Sequence, residues 1–122
     1  MDKKKILIID DEIAIADGLK YILEEQGYCV IVANDGEEGL QKAEKDTPDL
    51  IILDLHLPKL PGEEVCRTIR KNERLNNTPI IMLTAKDLDV DRVVGRVIGA
   101  NAYITKPFEM ENLLKQIKLY LP

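Results

Sequence analysis

The sequence has no tryptophan, one phenylalanine, one histidine and two cysteines. Cys29 and Cys66 stand far apart, without a CxxC pair or a histidine cluster beside them, which excludes the usual Cys/His zinc sites. Both thiols are therefore interpreted as small buried or half-buried hydrophobic residues. Reduced cysteines of this kind are typical of a cytosolic protein.

The sequence also lacks a basic excess and any long apolar run. Its net charge of −5 argues against nucleic acid as a direct ligand, because nucleic-acid binding usually requires a basic face. The basic N-terminus is followed by an apolar run at residues 6–9 that ends at Asp10. This run is too short for a signal peptide or a membrane span. We expect a soluble, cytoplasmic protein without a membrane partner.

No internal repeat, low-complexity segment or linker interrupts the chain. At 122 residues, with 45% hydrophobic and 32% charged residues, it has the size and composition of one globular domain. We therefore predict a single domain over residues 1–122, with no output domain in this chain.

Five apolar runs alternate with five segments of helical periodicity. The runs predict strands at residues 6–9, 28–33, 50–53, 80–83 and 101–105, and the periodic segments predict helices at 12–26, 36–45, 62–71, 87–98 and 109–121. Continuous apolar strands are typical of a parallel sheet that is covered on both faces. The pattern therefore predicts an α/β domain with helices on both sides of a parallel sheet.

Polar side chains stand where four of these strands end. Asp10 and Asp11 follow the first, Asp54 ends the third, Thr84 ends the fourth and Lys106 ends the fifth. The carboxyl ends of parallel strands meet at one edge, where α/β sheets bind their ligands. We expect these groups to converge there, with the Asp54 carboxylate at the sheet edge, where an anion is less costly than in the core.

The converging groups favour a hard divalent cation and a phosphoryl group. Carboxylate and carbonyl oxygens suit Mg²⁺, or Mn²⁺, and His56 is more useful at the rim or through its backbone carbonyl than as a side-chain ligand. Lys106 supplies a fixed positive charge and Thr84 a hydroxyl donor. Asp54 between them can attack phosphorus to form an acyl phosphate.

Four motifs resemble the receiver domain of bacterial two-component response regulators over nearly the whole chain. They are IIDDE at 8–12, LDLHLP at 53–58 with Gly62 beyond it, LTAK at 83–86 and GANAYITKPF at 99–108. The resemblance implies a flavodoxin-like (βα)5 fold with strand order 2-1-3-4-5. It also implies a phosphoprotein that accepts its phosphoryl group from a sensor histidine kinase or a phosphotransfer protein.

The same resemblance implies a role for each site residue. Asp54 would be the phospho-acceptor, and Asp11, Asp54 and the His56 carbonyl would coordinate Mg²⁺, with Asp10 supporting the metal through water. Thr84 and Lys106 would grip the phosphoryl oxygens. Thr84 and Tyr103 would then rearrange the surface of the fourth predicted helix, fifth strand and fifth helix for a downstream protein target. His56 and Lys86 would flank the pocket and control water access.

The chain departs from receivers attached to winged-helix domains in the residues used for dimerisation. Those relatives often carry paired acids before the strand-5 tyrosine and arginines in the last helix. Here the positions read Asn101-Ala102, and the last helix has Lys115 and Lys118, although Arg92 and Arg96 remain on the fourth predicted helix. We therefore expect a monomer or a weak, phosphorylation-dependent dimer.

Three other functions are compatible with the predicted fold. An interaction module that is never phosphorylated would need no complete pocket. An aspartyl-phosphate phosphatase would need a second aspartate two residues after the nucleophile, where this chain has His56. A flavin carrier would need a phosphate loop rich in Ser, Thr or Gly after the first strand, where this chain has Asp10, Asp11 and Glu12.

Overall fold

The computed structural model describes residues 3–85 and 99–122. The strands are β1 (Lys5–Ile9), β2 (Cys29–Ala33), β3 (Leu50–Asp54), β4 (Ile80–Ala85) and β5 (Ala102–Lys106). The helices in these ranges are α1 (Ile13–Glu25), α2 (Gly36–Asp46), α3 (Gly62–Lys71) and α4 (Met110–Tyr120). The predicted helix at 87–98, with Arg92 and Arg96, and the rim residue Lys86 lie outside the described residues. The label α4 therefore denotes the C-terminal helix.

The five strands form one parallel sheet in the order β2-β1-β3-β4-β5. This is the flavodoxin-like order that the resemblance to receiver domains implies, which confirms that prediction. β2 lies on one side of β1, and β3 with the later strands lies on the other. The strand order therefore reverses between β1 and β3. A crevice opens at the carboxyl ends of strands where such a reversal occurs.

Both faces of the sheet are covered by helices. Alternate strand residues such as Ile6 and Ile52 pack with Leu23 of α1 and Ile117 of α4. The intervening residues, such as Leu7, pack against α2 and α3. The continuous apolar strands therefore serve two cores at once, which confirms the prediction of a sheet buried on both sides. Within the described ranges, no helix is long and apolar enough to span a membrane.

Element boundaries differ from the predicted ones by one or two residues at most places, and the differences matter at the strand ends. Asp54 pairs with Leu83, and Thr84 pairs with Thr105, inside the sheet ladder. These polar residues were predicted to end the strands, and the backbone pairing continues through them because ladder hydrogen bonds do not depend on the side chain. Each reactive side chain is therefore fixed by regular strand geometry.

The prediction for Cys29 is wrong, whereas that for Cys66 is confirmed. Cys66 is buried on α3, but Cys29 is exposed. Cys29 begins β2, which is an edge strand of the sheet. An apolar run does not reveal that its first residue lies at the rim of the core.

Asn101, which stands where some relatives have an acid, has a structural role at the amino ends of the strands. Its backbone N–H donates to the Ile80 carbonyl, and its Oδ1 accepts from the Ile80 N–H at 2.8 Å and from Arg70 at 2.9 Å. The Tyr120 hydroxyl donates to the Asn101 carbonyl. Asn101 thereby ties β4, α3 and the end of α4 together.

Gly62 allows the start of α3 to approach the end of β3 closely. A Cβ at this position would lie 2.5 Å from the Asp54 carbonyl oxygen and 2.8 Å from the Leu55 Cα. The Gly62 N–H donates to the Leu55 carbonyl at 3.1 Å. Because the obstructing atoms belong to the backbone, they cannot move away without shifting the strand that carries Asp54.

We expect Gly62→Ala to destabilise the fold by about 1–3 kcal/mol, the usual cost of overpacking. Gly18→Ala is the matched control, because Gly18 lies within α1 and a Cβ there meets nothing within 4 Å. That substitution should stabilise the protein by about 0.5–1 kcal/mol through helix propensity. Urea unfolding of the two variants measures both effects, and equal stability of the two variants would contradict the close-approach argument.

Candidate functional site

Two carboxylates lie side by side at the point where the strand order reverses. Asp10 directly follows β1, Asp54 is the last residue of β3, and these two strands are neighbours in the sheet. Asp10 is fully buried and Asp54 is 4% exposed. Asp54 therefore lies at the edge of the sheet, as expected, but it is almost as buried there as a core residue. The strand ends and loops around the crevice enclose both groups.

Lys106 compensates the buried charge. It is the last residue of β5, and its register partner on β4 is Ala85, whose small side chain lines the same crevice. The Lys106 ammonium donates to Asp10 Oδ2 at 3.0 Å and to Glu12 Oε1 at 2.8 Å, and it lies 3.4 Å from Asp54 Oδ2. All three ammonium hydrogens thus have a carboxylate acceptor.

The pKa values of Asp54 and Lys106 are both raised by their surroundings in the site. Burial, and then the neighbouring charge of Asp10, raise the pKa of Asp54 from 3.8 to about 6, against the opposing effects of Lys106 and the His56 N–H. Burial alone would lower the pKa of Lys106, but hydrogen bonds to Glu12 and Asp10 and the charge of Asp54 outweigh it and raise that pKa above its ordinary value. Lys106 is therefore cationic at neutral pH.

Glu12 is a member of this cluster that sequence reasoning missed. Carboxylate oxygens of Asp10, Glu12 and Asp54 all lie within 4.8 Å of one another. Glu12 is the N-cap residue of α1, and its own N–H donates to Asp10 Oδ1 at 2.9 Å. Its place directly after two acidic residues was the available signal, but only the start of α1 turns its side chain towards Lys106.

Asp11 and His56 lie at the same crevice without joining the tight cluster. The exposed side of the site is a cleft of about 700 Å³, lined by Asp11, Glu12, Asp54 and His56 together with apolar side chains such as Phe108. The His56 N–H donates to Asp54 Oδ1 at 3.2 Å, which fixes one carboxylate oxygen. His56 is exposed, as expected for a residue at the rim.

Thr84 and Tyr103 lie on the neighbouring strands β4 and β5. Thr84 is completely buried, and among the described residues its Oγ1 is the one buried side-chain oxygen or nitrogen without a hydrogen-bond partner. Tyr103 is half-buried on β5 and packs against the core shared with α2 and α3, and burial raises the pKa of its phenol. A buried hydroxyl without a hydrogen-bond partner costs free energy, so an acceptor brought next to it would be bound favourably.

The donor set fits a hard divalent cation. The clustered groups offer oxygen ligands only, and two of the three carboxylates are buried side by side, where a 2+ charge would relieve their repulsion. The single imidazole of His56 and the distant cysteines offer no competing soft ligand set.

The raised pKa of Asp54 predicts a pH-dependent gain in stability for Asp54→Asn in the metal-free protein. A carboxyl whose pKa rises from 3.8 to about 6 on folding favours the fold below pH 4, and that contribution is lost as the pH rises through 6. At pH 7.5 with a chelator, the variant should be more stable than wild type by about 1–2 kcal/mol. The difference should vanish at pH 4.

Urea unfolding at the two pH values measures this difference, with exposed Asp17→Asn as the control for loss of one charge. Added Mg²⁺ should narrow the gap by stabilising wild type, since a ligand that binds only the folded state raises its stability. A variant less stable than wild type at pH 7.5 would show that the carboxylate is well compensated in the fold.

Comparisons of this chain with known proteins agree with one another on its family. The family model described as response regulator receiver domain matches residues 6–118. The alkaline phosphatase synthesis transcriptional regulatory protein PhoP of Bacillus subtilis is 51% identical over 118 residues, covering 97% of this chain. The chain spans 48% of that relative's length, so the comparison concerns one part of it.

Solved structures give the same result. A response regulator from Chloroflexus aurantiacus superposes with a TM-score of 0.91 at 37% identity, covering 98% of each chain. The receiver domain of a sensor histidine kinase from Pseudomonas aeruginosa, solved with magnesium coordinated in its active site cleft, gives 0.88 at 31% identity and 98% coverage of each chain. Together with the strand order and the acidic crevice, these matches show that the chain belongs to the family of response regulator receiver domains.

Proposed function

We propose that this receiver domain is a signalling switch whose Asp54 accepts a phosphoryl group from the phosphohistidine of a sensor histidine kinase or a phosphotransfer protein. The observation that carries the proposal is the combination around Asp54. Asp54 and Thr84 lie near the carboxyl ends of the adjacent strands β3 and β4. The buried Asp54 carboxylate is 3.4 Å from the Lys106 ammonium, and the buried Thr84 hydroxyl has no hydrogen-bond partner among the described residues. A phosphoryl group offers the oxygens that would satisfy both.

The reaction is a transfer between two side chains. An Asp54 carboxylate oxygen attacks phosphorus, the P–O bond forms as the P–N bond of the phosphoimidazole breaks, and the departing imidazole takes up a proton. The His56 N–H holds Asp54 Oδ1, which leaves Oδ2 as the oxygen on the Lys106 side. Lys106 and the Thr84 hydroxyl then stabilise the negative charge on the transferred group.

Asp10, Asp11, Asp54 and the His56 backbone carbonyl are the proposed ligands of Mg²⁺, which Mn²⁺ could replace. Asp10 would act through water, because its oxygens already accept from Lys106 and from the Glu12 N–H. When bound, the cation neutralises charge on the phosphoryl oxygens during the transfer. The domain itself would thus catalyse its own phosphorylation and dephosphorylation, without turning over a separate substrate.

The proposed output is a change of surface. Phosphorylation adds charge and acceptor oxygens, which would draw the Thr84 hydroxyl inward and make room for Tyr103 to turn towards the core. Thr84 and Tyr103 lie on adjacent strands, with Tyr103 paired to Met82, two residues before Thr84. The affected surface would comprise β5, α4 and the predicted helix at 87–98, and a downstream protein target would bind one form of it.

We also propose where this domain acts, its oligomeric state and its output. We expect a cytoplasmic domain over residues 1–122 that is a monomer or a weak dimer when phosphorylated. The similarity to a protein named as a transcriptional regulator suggests control of transcription as an output. This domain, with its net charge of −5, would not itself contact DNA.

The first test is incubation with acetyl phosphate and Mg²⁺, followed by intact mass measurement. Wild type should gain the mass of one phosphoryl group, because Asp54 is the proposed nucleophile, and Asp54→Asn should gain none. A chelator should abolish the gain in wild type. Absence of the added mass in wild type, or equal labelling of both proteins, would refute Asp54 as the acceptor.

The second test concerns the lifetime of the phosphorylated form. His56 lies at the mouth of the cleft and Lys86 follows β4, so both are proposed to control how water reaches the acyl phosphate. Replacing both residues by alanine should change the dephosphorylation rate severalfold while Asp54 remains phosphorylatable. Hydrolysis followed by mass spectrometry measures the rate, and unchanged kinetics would remove this role for the two side chains.

A further inference from the structure

Lys106 has no free hydrogen-bond donor in the unphosphorylated site. Its three ammonium hydrogens face Asp10, Glu12 and Asp54 at 3.0, 2.8 and 3.4 Å. A phosphoryl group on Asp54 brings further oxygens that compete with these carboxylates for Lys106. The three contacts differ in how costly each would be to break.

The Asp10 contact is the most costly to lose. Asp10 is fully buried, so loss of the ammonium would leave an uncompensated charge without water to solvate it. The Asp54 contact, at 3.4 Å the longest, can pass to one phosphoryl oxygen, so a second phosphoryl oxygen that binds Lys106 must replace Asp10 or Glu12. The Glu12 side chain is 55% exposed, and its carboxylate can be solvated as soon as Lys106 departs. The least costly exchange is therefore at Glu12.

We infer that Glu12 is a positioning residue that holds Lys106 in the unphosphorylated state and is displaced from it by the phosphoryl group. The inference rests on the proposed function, since it requires a phosphoryl group on Asp54. Glu12 then competes with that group for the same ammonium. Its contact with Lys106 is the shortest of the three, although Glu12 is the most exposed of the three acids.

This competition has a measurable consequence. Removing the Glu12 contact should strengthen the binding of a phosphoryl analogue, because Lys106 no longer has to exchange partners. An exposed ion pair of this kind corresponds to about a three- to fivefold change in affinity. A residue with a merely structural role would change stability without making the analogue bind more tightly.

The test is titration of the full chain with beryllofluoride, a phosphoryl analogue, at saturating Mg²⁺, followed through amide NMR spectra. Glu12→Gln removes the charge and Glu12→Asp keeps the charge but withdraws the carboxylate by one methylene. Both should bind beryllofluoride about three- to fivefold more tightly than wild type. Asp17→Asn, which removes one exposed charge from the same helix, should bind it as wild type does.

The outcomes separate the two proposals. If wild type does not bind beryllofluoride at all, the proposed phosphoryl site fails, and with it the inference about Glu12. If wild type binds it and both Glu12 variants match Asp17→Asn, the inference alone is overturned. If Glu12→Gln binds more tightly but Glu12→Asp matches wild type, negative charge near the site matters and the contact with Lys106 does not, which also overturns the inference.

Discussion

The ammonium of Lys106 makes it possible for two carboxylates to be buried side by side in this domain. Asp10 and Asp54 lie at the ends of adjacent strands, where they repel each other and have little access to water. Lys106 reaches both from the end of β5, two strands away from β3. The rest of the site depends on this arrangement, because removal of one partner of a buried ion pair leaves an uncompensated charge.

The negative charge of Asp54 is only partly compensated in the fold. Its pKa of about 6 shows that burial and Asp10 together outweigh the favourable effect of Lys106. Further positive charge in the crevice would therefore be bound favourably. The Thr84 hydroxyl, on the adjacent strand β4, is buried without a hydrogen-bond partner among the described residues.

The fold surrounds the site with closely packed neighbours. Thr84 belongs to the ladder between β4 and β5, and Tyr103 lies on the adjacent strand of that ladder. Gly62 holds α3 against the end of β3, and Asn101 ties the opposite ends of β4 and β5 to α3 and α4. Because closely packed elements move as units, the proposed change at Thr84 would be transmitted to the surface more readily than it would be absorbed.

The sequence by itself determined the elements and the chemistry that their ends carry. Continuous apolar runs predicted strands buried on both faces, and Asp10, Asp54, Thr84 and Lys106 were placed correctly at one edge, because side-chain periodicity and strand direction are local properties. The strand order came only from the resemblance to a family. Tertiary structure decided the burial of Asp54, the exposure of Cys29 and the membership of Glu12 in the Lys106 cluster. These depend on distances between residues far apart in the chain, which are set by packing and which no local pattern encodes.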